Sequence, residues 1–281
     1  MKLKLLIFFL VALAFAGMNV SAENDSRDVV RIPALMYHCV DDNINDVTIS
    51  KDNFRKHLEV IKENGYTPIS VEDLIDFVDE GKALPQKPVC ITFDDGYTDN
   101  YLNAYPLLKE FGFKATIFTI GSSVGKSTYK ESGKPIFPHF GFDEAKEMID
   151  SGLISVQSHT FDMHQSRDFE NGFSVRENLL PISGESLREY LMVLENDVII
   201  QKTFLETNLE KPMVAMAYPI GKYNGMVELV LKKNGIRVSF ATSVGPNYVM
   251  KNNRDSLYSL NRYNIHDAVS AEQLLEWLDE E

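Results

Sequence analysis

The chain has 281 residues, 44% of them hydrophobic and 25% charged, which is enough to bury one sizeable core and excludes extended disorder away from the ends. Its 41 acidic against 28 basic side chains give a formal net charge of −13, a surface that repels phosphate backbones and anionic lipid, so nucleic acid is not an expected partner. Cys39 and Cys90 each sit inside an apolar, strand-like run and read equally well as buried thiols or as a pair that an oxidising compartment would permit.

Lys2 and Lys4 precede an apolar run over residues 5–16, and Val20-Ser21-Ala22 then provides small residues for a cut after Ala22. That is the form of a secretory signal peptide, residues 1–22, and too short a run for a comfortable membrane span; an uncleaved anchor is the alternative. Its removal takes away two lysines and no acid, deepening the net charge from −13 to −15. The expectation is an exported protein, secreted, periplasmic or surface-associated, with residues 23–281 as a single domain and no membrane span; its oligomeric state is left open.

Residues 32–40 read as a strand. Ser50 then caps a helical pattern with Phe54, Leu58 and Ile61 on one face, closing at Gly65, and Ser70-Val71-Glu72-Asp73 opens a second helix with a capping box. Strand-like runs recur at 89–93, 115–120, 153–158, 213–218 and 236–241, with a weaker one at 260–265. Helical segments lie between most of them, at 100–111, 143–151, 185–207, 226–234 and 271–278. Strands alternating with helices imply parallel pairing through crossovers, and seven such strands predict an α/β fold, a distorted (β/α) barrel. An open Rossmann-like sheet is the other architecture, but no G-x-G-x-x-G turn follows any strand. Residues 122–140 and 165–184 read as inserted loops.

The chemistry concentrates where these strands end. Thr92-Phe93-Asp94-Asp95-Gly96 puts two adjacent carboxylates after a buried run. Neighbouring side chains on a strand point to opposite faces, so both acids share a site only if the backbone turns there, which Gly96 permits. Two such carboxylates need a balancing cation or proton. Ser158-His159-Thr160-Phe161-Asp162-Met163-His164 begins at another strand end; a spacing of five would put the imidazoles about 140° apart on a helix, so a loop is the better frame for convergence. With one aspartate they make a two-histidine, one-carboxylate set with positions open for water and substrate. Ala217-Tyr218-Pro219-Ile220-Gly221 bends the chain at a third strand end and can expose a backbone N–H. His38 is a polar residue in an apolar strand, more often a satisfied core group; His57 and His139 read as ordinary helix and loop residues.

Taken together, these motifs resemble those of the polysaccharide deacetylases, the NodB-homology or carbohydrate esterase family 4 enzymes, over roughly residues 33–266. The histidine spacing and Met36-Tyr37-His38 are most similar to the branch that deacetylates poly-β-1,6-N-acetylglucosamine, in which the strand order is circularly permuted. The resemblance implies hydrolysis of N-acetyl groups on an amino-sugar polysaccharide, with Asp94 as general base, His38 as general acid (His266 as the fallback), and Asp95, His159 and His164 holding a divalent metal, most often zinc. Pro219, the Ile220 N–H, Tyr97 and neighbouring aromatics such as Phe161 and Tyr223 would face oxyanion and glycan. The arginine that many relatives carry in the Arg-Pro-Pro-Tyr-Gly type of motif is missing; Arg262 could supply that guanidinium from the last strand, or form a structural ion pair. Alternatives are an O-acetyl esterase acting on a glycan such as xylan, a carboxamide hydrolase acting on a small molecule, and a non-catalytic glycan-binding barrel.

Overall fold

The computed structural model describes residues 27–170 and 174–280, so the expected signal peptide lies outside the described residues. In chain order the elements are β1 (Val29–Ile32), β2 (Ala34–Tyr37), β3 (Cys39–Val40), β4 (Thr48–Ile49), α1 (Lys51–Glu63), β5 (Thr67–Pro68), α2 (Val71–Glu80), β6 (Pro88–Phe93), α3 (Tyr105–Phe111), β7 (Ala115–Thr119), α4 (Phe142–Asp150), β8 (Ile154–Ser158), α5 (Leu187–Leu209), β9 (Ala215–Ala217), α6 (Gly225–Lys233), β10 (Val238–Phe240), β11 (Asn247–Met250), β12 (Tyr263–Asn264) and α7 (Ala271–Asp279). The helices start where local chemistry places them: the Ser50 hydroxyl accepts from the Asn53 N–H, and Ser70 and Asp73 form a reciprocal capping box.

Seven parallel strands run in the order β10-β9-β8-β7-β6-β2-β12, with β5 paired alongside β6. The segment 260–264 reaches both edges. Leu260 bridges to Phe240, its N–H donates to the Ser239 carbonyl at 2.8 Å, and Ile265 N–H donates to Met36 at 2.9 Å. The expected distorted barrel is therefore present, with its N-terminal strand lying between β6 and the C-terminal β12. The strand expected over 32–40 divides into three short ones, and β1 pairs antiparallel with β11, a ladder that alternation alone did not reveal. The helix expected over 100–111 opens with a π-helical turn, Asn100–Ala104.

Period-two alternation sorts the side chains. Leu35, Tyr37, Val89, Ile91, Phe93 and Ile117 belong to the cluster that runs out beneath α1, α3 and α7, whereas Ala34, Cys90, Phe118, Ala215, Ala217, Val238 and Phe240 belong to the inner one. Residue 94 continues the parity of Cys90 and Thr92, so Asp94 tops the inner face. Cys39 and Cys90 are both buried free thiols.

Candidate active site

The turn after β6 places the two aspartates. Asp95 (φ 71°) and Gly96 (φ 85°) are consecutive left-handed residues, and a Cβ on Gly96 would come within 2.8 Å of Thr119 Cγ2. Only glycine fits there. Asp95 is fixed from behind, its carbonyl accepting the Ile120 N–H at 3.2 Å.

Asp94 meets Arg262 inside the barrel. The guanidinium donates to both carboxylate oxygens, Nη1 to Oδ1 at 2.6 Å and Nη2 to Oδ2 at 2.7 Å. Two of its other donors reach the Thr92 hydroxyl (3.1 Å) and the Ala241 carbonyl (2.9 Å), and the rings of Phe118 and Phe240, 5.5 Å from each other, pack beside it at 5.9 and 5.8 Å. Arg262 is 0% exposed. Burial would push the Asp94 carboxyl up, but Arg262, followed by His159, more than offsets it and holds the group below the usual carboxylate range.

On the other side of the turn stand Asp95, His159 and His164, one ligand atom of each lying within 4.8 Å of the others. His159 Nε2 is 3.5 Å and His164 Nε2 is 3.6 Å from Asp95 Oδ1, and the two rings meet edge to face at 5.1 Å. Atoms bound tetrahedrally at about 2.0–2.2 Å are separated by roughly 3.4 Å, so these edges fit one divalent ion. Two further features agree. Asp95 Oδ1 is buried without a hydrogen-bond partner, and His159 Nδ1–H donates to the Ala217 carbonyl at 2.9 Å, which leaves the Nε2 lone pair directed at the set. Burial, countered in part by both aspartates, brings His159 down to about 4, so the ring is neutral near neutral pH, the form that could ligate a metal. Burial raises Asp95, but His164 and then His159 outweigh it and lower the carboxyl overall.

The loop carrying the histidines is strained and clamped. Thr160, a β-branched residue, sits at φ 74°. Asp197 on α5, 7% exposed, accepts the N–H groups of Phe161 (2.9 Å) and Asp162 (2.8 Å), while the Thr160 carbonyl accepts the Gly121 N–H at 3.0 Å. Gln201, one turn further along α5, donates to the Thr119 carbonyl at 3.0 Å. The sequence reading missed both residues; the available signal was a pair of polar residues four apart on the face that also carries Leu194, Val198 and Leu205. It also missed Asn100, fully buried, which donates to the His38 carbonyl at 2.7 Å.

His38 follows β2, its Nδ1 buried without a partner, and its charge is among those that lower Asp94 and Asp95. His266 lies beyond β12 and its Nδ1 accepts the Ala268 N–H. Pro219 is buried, whereas Ile220 is 53% exposed at φ 55°. Tyr97 is half-buried near Asp95: desolvation, then that carboxylate, push its phenol up. Tyr223 stacks on Tyr218 at 4.5 Å, Phe161 packs edge-on against Phe204, and His57 is a satisfied core residue bonded to Tyr37 and the Val269 carbonyl.

Fold and site together define a distorted β/α barrel with a candidate divalent-metal centre at the carboxyl ends of its strands. The polysaccharide deacetylase family model matches residues 81–239, and the chain belongs to that family. It is 27% identical to the poly-β-1,6-N-acetyl-D-glucosamine N-deacetylase of Escherichia coli (strain K12) over 75% of this chain, spanning 34% of that protein's length. It is 26% identical to the enzyme of the same name from Staphylococcus aureus (strain MRSA252), over 83% of this chain and 73% of the relative. The fold is shared with a solved de-N-acetylase from Aggregatibacter actinomycetemcomitans, with a TM-score of 0.75, 24% identity, and coverage of 88% of this chain and 100% of that one.

Proposed function

We propose that this protein hydrolyses N-acetyl groups on an amino-sugar polysaccharide, releasing acetate, with a β-1,6-linked N-acetylglucosamine polymer as the first substrate to test. The observation that carries the reading is the convergence of Asp95, His159 and His164 beside an arginine-clamped Asp94, in a chain whose relatives are named for this reaction.

Asp95, His159 and His164 would hold the metal, for which zinc is the first choice on ligand type. When bound, such an ion polarises an acyl carbonyl and lowers the pKa of water. Asp94 accepts the proton of the attacking water; Arg262 keeps that carboxylate ionised and fixes its direction. As the C–N bond breaks, the amine nitrogen must gain a proton, which His38 delivers, its position held through Asn100. The Ile220 N–H, in the turn that Pro219 starts, is assigned to the developing oxyanion. The products are acetate and a free amino sugar. Export through residues 1–22 would bring the enzyme to an extracellular glycan.

Metal analysis of the purified protein, coupled to an acetate-release screen over β-1,6-linked N-acetylglucosamine oligomers, chito-oligosaccharides, peptidoglycan and acetylxylan, tests this. One divalent ion per chain and release from an N-acetylated glycan, abolished by chelator, are expected. Release from acetylxylan alone would replace the reading with an O-acetyl esterase, and tight glycan binding with no release from any substrate would replace it with a binding module.

A further inference from the structure

The main sheet releases its N-terminal strand at Tyr37. β2 pairs with β6 as far as that residue, the Tyr37 carbonyl accepting the Asp94 N–H at 3.0 Å, and β3 then turns away to pair with β4. His38 stands between the two ladders.

Side chains of the π-helical turn hold it there. Asn100 Nδ2 donates to the His38 carbonyl and Asn103 Nδ2 to the Val40 carbonyl, both at 2.7 Å. Asp99, immediately before the turn, accepts a second bond from Asn100 Nδ2 at 3.0 Å, and the Val40 N–H and the Cys39 thiol also donate to its carboxylate. One acid thus receives donors from both sides of a segment that the mechanism uses only through His38. An ionised carboxylate can only accept, so Asp99 dictates which way the Asn100 amide turns: one Nδ2 proton goes to the acid and the other is thereby delivered to the His38 carbonyl. Burial pushes the Asp99 carboxyl up to about 6, with the Val40 N–H and then the Cys39 thiol opposing it, so above pH 7 it is this acceptor. The His38 ring has no comparable grip, its Nδ1 being buried without a partner, and its direction is set through its backbone.

We propose that Asp99 is the positioning residue for the general acid: through Asn100 and the Cys39–Val40 main chain it fixes the backbone of His38 at the angle that directs the imidazole to the leaving amine. The proposal rests on the deacetylase reading above and on its assignment of His38. It makes the role of Asp99 selective, because an amine must be protonated as it leaves whereas a nitrophenolate departs without a proton.

The test compares acetate release from a β-1,6-linked N-acetylglucosamine trimer with that from 4-nitrophenyl acetate, using metal-loaded wild type, Asp99→Ala and Asp99→Asn. The trimer-to-ester ratio of kcat/KM should fall roughly 10–100-fold in Asp99→Ala, chiefly through kcat, and by less in Asp99→Asn, whose amide keeps one acceptor oxygen. In a His38→Gln background the same substitution should not lower the ratio further. An equal fall on both substrates, an unchanged ratio, or an additive loss in the His38→Gln background overturns the proposal. If the wild type releases no acetate from any glycan, the deacetylase reading fails by itself, and the histidine Cε1–H resonances of the same proteins judge the positioning: a His38 signal that moves in Asp99→Ala while those of His57 and His266 stay sustains it, whereas a His38 signal that stays, or all three moving together, overturns it.

Discussion

Asp94 and Asp95 are covalent neighbours, both almost fully enclosed, and the protein answers their charges in opposite ways. Asp94 receives a complete counter-charge from within the chain, both oxygens bonded to a guanidinium that is itself buried and packed beside two rings. Asp95 faces two imidazoles, and its Oδ1 has no donor. A buried carboxylate without compensation is costly, so the contrast matches the two jobs of the proposed reaction, in which one acid, finished by the protein, would handle protons and the other would present the donors a divalent cation needs.

Exchanging the two kinds of defect should produce the largest effect. Asp94→Asn should keep one equivalent of metal by elemental analysis while acetate release falls by roughly 10²–10⁴-fold, whereas His159→Ala should lose metal and turnover together. Full activity in Asp94→Asn would remove the base assignment. Next in size, Arg262→Met strands the Asp94 charge and should cost about 3–5 kcal/mol in denaturant unfolding, most of it recovered when Asp94→Asn is added. A double variant no more stable than the single one would show that Arg262 acts through packing against Phe118 and Phe240 instead.

The other side of the comparison is sharpened through Asp197, which holds the loop between the histidines without touching either. Asp197→Asn can satisfy only one of the two N–H groups and should weaken metal binding about 10–100-fold in a competitive chelator titration, with Asp197→Glu intermediate. The same residue also carries a pH dependence. Burial pushes the Asp197 carboxyl up to about 6, so the native state binds this proton more tightly than the unfolded chain does. The resulting stability is fully present below the unfolded value of 3.8 and is lost as pH rises through about 6. The stability of wild type relative to Asp197→Asn should therefore fall by on the order of 2–3 kcal/mol between pH 4 and pH 7. A flat difference would mean that the carboxylate is better solvated than its burial implies.

Much of the barrel was legible because its strands are short apolar runs bounded by turn residues, and the same runs located the acids and imidazoles at strand ends. What stayed hidden shares one physical cause. Asp197, Gln201 and Asn100 act from helices by reaching backbone groups of distant loops, and a polar residue on a helix is indistinguishable in sequence from a solvated one. His139 was read as an ordinary loop residue because nothing local distinguishes an exposed imidazole from one enclosed between Tyr97 and a cavity. The expected strands at 213–218 and 236–241 shortened to three residues each, since alternation marks burial and a ladder forms only where a neighbouring strand is in register.

Arg262 lies 168 positions beyond the acid it neutralises, on the segment that touches both edges of the sheet. A ribosome releases the other six strands before that segment emerges. Until it docks, the nascent barrel carries a carboxyl facing an unfinished interior, so the step that seals the sheet is also the step that gives Asp94 its counter-charge, and a chain stalled short of it would have neither a closed sheet nor the proposed base in place.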